Sequence, residues 1–313
     1  MATQRLQPKF LLCTRMGAVC RLLIFAVLFA ALSFVLISTL FRIVPAFGAD
    51  VVPDTLNIPD FLITDGGTLI CVLIATYVMS RIEGRAFAEY GIRFGMGRRF
   101  WVGFLWGTLA PTAVALLIYA LHGYSFGSVA LQGRQIVGYA AAWLIACIVL
   151  GWAEECLFRG YPQFTVMTAL GFWPSVLLMS FAFGALHYFT KPYERWTDFL
   201  STGLLGLFVC LTLRRTGDLR FAIGFHAAFD FANFFIISGK NGGQFASGRL
   251  FNAVFVGPDW LTGGQLGPEA SLMVFPVLAA LFFLFHRVYP TARFPITLEN
   301  TCSKAAYSAK NES

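Results

Sequence analysis

Eight apolar runs, at approximately residues 21–41, 67–80, 101–121, 136–157, 172–189, 199–213, 221–237 and 271–285, fill most of the chain. A helix that crosses a bilayer takes about 20 mainly apolar residues. Most of these runs approach that length, while the second and sixth are short. Composition closes off the soluble reading. Of 313 residues 58% are hydrophobic and only 12% charged, where a soluble domain carries roughly a quarter. A mean hydropathy of +0.70 leaves too little polar side chain to cover a water-exposed globule of this size. The expected fold is therefore all-α: one polytopic membrane helix bundle of about eight transmembrane helices, a single integral domain over residues 1–313. Its expected surroundings are a lipid bilayer and no nucleic acid, in spite of a net charge of +7.

The basic residues set the expected orientation. With the N-terminus placed inside, 17 of the 23 Lys and Arg fall in inner segments and six in outer ones. That bias puts both termini in the cytoplasm. Short loops and this bias fit a bacterial inner membrane. The first run has a basic lead-in and about 20 apolar residues, the pattern of an uncleaved signal anchor. The segment after it is acidic, with Asp50, Asp54, Asp60 and Asp65, and the Gly-rich stretch 238–267 reads as an ordinary outer loop. Seven cysteines without a CxxC pair support neither a disulfide framework nor a thiolate zinc site.

Ionisable side chains at membrane depth are costly and mark function. Five lie within or at the edge of apolar runs: Glu154, Glu155, His187, His226 and Asp230. Taken as helices, their segments have internal logic. Glu155 and Arg159 stand at i, i+4, the favourable order for an intrahelical pair, which leaves Glu154 about 100° away and free to react. His226, Asp230 and Asn233 share one helical face at i, i+4 and i+7. The turn signal at 171–174 lies midway between Glu154 and His187, so an antiparallel hairpin brings these two to one depth.

The three segments, Glu154-Glu155-Cys156-Leu157-Phe158-Arg159, Phe183-Gly184-Ala185-Leu186-His187 and His226-Ala227-Ala228-Phe229-Asp230, resemble the motifs of the CPBP family of intramembrane proteases, the type II CAAX prenyl proteases and their bacteriocin-processing and immunity relatives. The resemblance covers a core at 136–237. It implies peptide-bond hydrolysis in a helix-walled cavity open to the cytoplasmic side. Glu154 would be the base that activates water, His187 would help hold that water, and His226 with the residue four later would stabilise the oxyanion. Glu155 and Arg159 would be the supporting pair.

The third motif ends in Asp230, and an ionised carboxylate has no proton to donate. Asp230 must then be protonated, orient His226, or ligate a metal. With the last, Glu154, His187, His226 and Asp230 make an N/O donor set for a divalent cation such as zinc, and Asn233 becomes the candidate neutral amide donor. The expected substrate is a membrane-embedded, hydrophobic or lipidated peptide. The same buried groups also suit a proton-coupled transporter or channel, although no internal repeat is seen, or a catalytically silent scaffold or immunity protein.

Overall fold

A computed structural model describes residues 14–43, 55–193 and 195–293; Asp50, Asp54 and the chain's ends lie outside them. All eight apolar runs are helical, as α1 (Arg15–Ile43), α2 (Ile58–Glu83), α3 (Gly97–Ala120), α4 (Arg134–Arg159), α6 (Phe172–Thr190), α7 (Trp196–Thr216), α8 (Arg220–Phe231) and α9 (Val274–Val288). A ninth helix, α5 (Tyr161–Leu170), continues α4. Six paths are long and apolar enough to cross a membrane, with α4 and α5 counted as one of 37 residues. The remaining two fall short of the full spans expected. α8 has 12 residues before a π-helical turn, Ala232–Ile236, and α9 has 15.

The break between α4 and α5 follows from Gly160 and Pro162. Pro162 has no N–H to continue the ladder and occupies the first turn of α5, where none is required. A Cβ on Gly160 would stand 2.5 Å from the carbonyl oxygen of Cys156, so only glycine fits the break. The hairpin tip is Gly171, at φ +80°. α2 begins nine residues before the expected boundary at 67, which puts Asp60 and Asp65 on the helix rather than in an outer loop.

Contacts sort the connecting segments into two faces. On one, Arg21 pairs with Glu83 at 3.1 Å, Arg99 with Asp218, and the N–H groups of Leu219 and Arg293 donate to the carbonyls of Gly91 and Arg214. These are the segments read as inner. The segments read as outer meet on the other face. There β1 (Thr55–Leu56) pairs in parallel with β4 (Gln244–Ala246), β3 (Lys240–Asn241) pairs antiparallel with β4, and β2 (Tyr124–Ser125) antiparallel with β5 (Val254–Phe255). Arg195 reaches Asp259 at 2.5 Å. The stretch 238–267 is therefore an ordered cap and not a plain loop. Its β3–β4 hairpin turns on Gly242 and Gly243, both at positive φ (56° and 87°), the backbone that a two-residue hairpin loop requires.

α8 is the most enclosed of the site helices, and glycines let it in. A Cβ on Gly103 or Gly107 of α3 would lie 2.1 or 2.0 Å from the carbonyl oxygen of Phe221 or Phe225, and one on Gly224 would lie 2.1 Å from that of Phe100. Backbones in contact through a small-xxx-small stripe are a standard packing mode in membranes. Phe208, Phe225 and Phe285 then close around α8 through tilted and edge-to-face ring pairs.

Candidate active site

The three motif segments meet because α4, α6 and α8 converge. Gly151 on α4 allows α8 to approach: a Cβ there would be 3.1 Å from the carbonyl oxygen of Ile223 and 3.2 Å from the nitrogen of Ala227. One turn further along α4, Glu155 faces His226. Its Oε1 lies 2.7 Å from His226 Nδ1 and 3.3 Å from Arg159 Nη1. Glu155 and Arg159 are both fully buried, so this carboxylate serves two partners. The i, i+4 pair predicted from spacing is present, and Glu155 in addition orients the histidine.

A carboxylate accepts, so the Glu155 contact puts a proton on Nδ1 and directs Nε2 into the cavity. There Nε2 is 3.3 Å from Asp230 Oδ2 and 3.6 Å from Glu154 Oε2. Glu154 has the most exposed side chain of this group, at 23%, against 15% for His226 and 0% for Glu155. His187 is fixed differently. Its Nδ1 lies 2.9 Å from the carbonyl oxygen of Phe183; a carbonyl only accepts, so Nδ1 carries the proton and Nε2 keeps its lone pair.

Phe183 joins the three clusters. Its ring centroid lies 4.1 Å from the Arg159 guanidinium carbon, 4.5 Å from the His187 ring and 6.4 Å from the His226 ring. A guanidinium over an aromatic face is a favourable contact, and it compensates a buried Arg159 whose Nε and Nη2 have no hydrogen-bond partner.

Glu154, Glu155, Arg159, His187, His226 and Asp230 all line one cavity of about 650 Å³. Asn233 does not. It lies in the π-helical turn that begins at Ala232, and its Nδ2 donates to Glu269 Oε1 at 2.7 Å. The reading of Asn233 as an available amide donor is corrected accordingly.

Two acids near the site escaped the sequence reading. Glu269 lines the cavity from the segment before α9, held by the short 3-10 turn that Pro268 starts and by Ser201 of α7, whose hydroxyl donates to its carbonyl at 2.9 Å. Burial pushes the Glu269 carboxyl up to about 7, with the charge on Asp230 adding and that on Lys191 opposing. The signal was a lone acid after Gly267-Pro268, just ahead of the last apolar run. Asp65 of α2 is near enough to interact by charge with Glu154, Asp230 and His226; it was hidden by the late boundary drawn for that helix.

Among the described residues no three His, Cys, Asp or Glu side chains are gathered as a metal site requires. The chemistry derived below uses the protein's own groups.

No curated protein matches the chain. Residues 136–232, from the first turn of α4 to the end of α8, match the family model of the type II CAAX prenyl endopeptidases, Rce1-like, so the resemblance to the CPBP intramembrane proteases carried by the three motifs is borne out over that segment.

Proposed function

We propose that the chain is an intramembrane endopeptidase that hydrolyses a peptide bond in a membrane-anchored, hydrophobic or lipidated peptide, with Glu154 as the base that activates water. The observation that supports this best is the arrangement at His226. One nitrogen is held by buried Glu155, the other is aimed at Glu154 and Asp230, and all of them face a cavity large enough for a peptide. Leu150, Leu205, Val209, Phe229 and Phe234 line the same cavity and suit apolar side chains of a substrate.

In this reading a water lies between the Glu154 carboxylate and the Nε2 lone pair of His187. Glu154 takes one of its protons as the oxygen adds to the peptide carbonyl. The oxyanion accepts a hydrogen bond from His226, whose doubly protonated ring donates from Nδ1 to Glu155 and from Nε2 to the oxyanion, with Asp230 holding that imidazolium between turnovers. Collapse breaks the C–N bond, and Glu154 returns its proton to the leaving amine. A positioned base contributes about 10²- to 10⁴-fold, and a preorganised oxyanion donor about 10²- to 10³-fold.

The test compares wild type with Glu154→Gln, both purified in detergent and checked for equal thermal unfolding, on a quenched peptide with a hydrophobic C-terminal segment. Cleavage is expected to fall by at least about 10²-fold in the variant. Cleavage that persists at the wild-type rate overturns Glu154 as the base.

A further inference from the structure

Resting on the endopeptidase reading, we infer that the site takes its substrate from the membrane face opposite the basic one, so that it acts on extracytoplasmic segments of membrane-anchored or exported peptides and not on cytosolic tails.

Two observations carry this. The first is charge. Segments 15–21, 81–99, 214–220 and 287–293 carry 12 arginines, while the described segments of the opposite face carry six Lys and Arg. The contacts of Arg21 with Glu83, Arg99 with Asp218 and Arg293 with Arg214 gather those arginine-rich segments on one face. Short segments with this bias stay in the cytoplasm.

The second is where the cavity leads. None of its lining residues belongs to the arginine-rich segments, and the residue lining it nearest to them along α4 is Arg159. Its other end is walled by Lys191, Pro192 and Tyr193, by the β3–β4 hairpin at 241–244, and by Glu269. The hairpin belongs to the cap, residues 191–193 and Glu269 lie in neighbouring segments of the same face, and Tyr193 is 64% exposed. The two expectations drawn from sequence, cytoplasmic termini and a site open to the cytoplasm, are therefore incompatible in this fold. The fold joins the cavity to the cap, and twelve arginines decide which face the cap occupies.

The experiment uses the full chain in a bacterial inner membrane, with its own cysteines replaced and single cysteines at Tyr193→Cys, Val256→Cys or Phe94→Cys. Spheroplasts are treated with a membrane-impermeant maleimide before and after lysis. Tyr193→Cys and Val256→Cys are expected to label in intact spheroplasts, and Phe94→Cys only after lysis; the reverse pattern overturns the inference. Wild type is then offered a membrane-impermeant quenched peptide in sealed vesicles. Cleavage is expected in right-side-out vesicles and, in inverted ones, only after detergent. Cleavage in sealed inverted vesicles alone overturns the substrate class. With no cleavage in any preparation, detergent included, the endopeptidase reading fails and the substrate class with it, while the labelling still decides the face.

Discussion

Substituting Gly107 by alanine adds one methyl group, on a helix that carries none of the motif residues, and is expected to disable the site. The new Cβ would lie 2.0 Å from the carbonyl oxygen of Phe225, 2.7 Å from its carbonyl carbon and 2.8 Å from its Cα. All three atoms are backbone, so no side chain can swing aside. α3 and α8 must separate by about 1 Å, an overpacking that costs about 1–3 kcal/mol. Phe225 is the residue before His226, so that displacement passes to the imidazole, whose 2.7 Å bond to Glu155 cannot survive it unchanged. A misplacement of about 1 Å costs about 10²-fold in rate. Two readouts check this on the quenched peptide: kcat of purified Gly107→Ala, and its thermal midpoint. Gly138→Ala on α4 is the control, because a Cβ there meets nothing within 4 Å and alanine favours a helix over glycine by about 1 kcal/mol. Gly107→Ala is expected to lose about 10²-fold in kcat and several degrees in Tm, with Gly138→Ala at or above wild type in both. A Gly107→Ala protein that unfolds like wild type and keeps its kcat refutes the claim that α3 fixes the position of His226.

Three further outcomes are expected. Glu155→Gln deprives both Arg159 and His226 of their charged partner; breaking a buried pair from one side costs about 3–5 kcal/mol, so Tm and kcat fall together, whereas Glu154→Gln lowers kcat alone. Glu83→Gln removes the counter-ion of fully buried Arg21 and leaves a single neutral amide oxygen where one carboxylate oxygen takes Arg21 and the other takes the Tyr161 hydroxyl at 2.5 Å. A loss of about 3–5 kcal/mol is expected in thermal unfolding, with unchanged KM in whatever fraction stays folded. Glu269→Gln tests linkage. The folded carboxyl titrates at about 7 against an ordinary 4.5, so between these values the native state holds the extra proton and wild-type stability falls as pH rises. The variant is expected to match wild type near pH 5 and to exceed it in Tm near pH 8; equal pH profiles would show that Glu269 is not held in this way.

What sequence discloses about this molecule depends on how local the cause is. The helices follow from hydropathy, which is a property of each run. The Glu155–Arg159 and His226–Asp230 pairs follow from i, i+4 spacing within one helix. Contacts between helices are another matter. Glu155 stands 71 residues from His226, and spacing within α4 assigned it to Arg159 alone; only the approach at Gly151 shows that one carboxylate holds both. A period of 3.6 residues puts Asn233 on the His226 face with its amide free, whereas it lies in a π-helical turn and its amide is taken by Glu269, 36 residues away. Glu269 and the hairpin at 241–244 lie in segments whose polarity reads as loop, since their structure comes from pairing with β1 and packing on α7 rather than from their own pattern. The orientation expectations show the same limit at larger scale. Charge counting assigns a face to the loops, and the motifs assign depth to the chemistry, but which loops roof the cavity is fixed by how six long helical paths pack. That packing rests on glycines such as Gly103, Gly107, Gly151 and Gly224, whose role is to be absent between two backbones, and a missing side chain leaves no periodic signal to read.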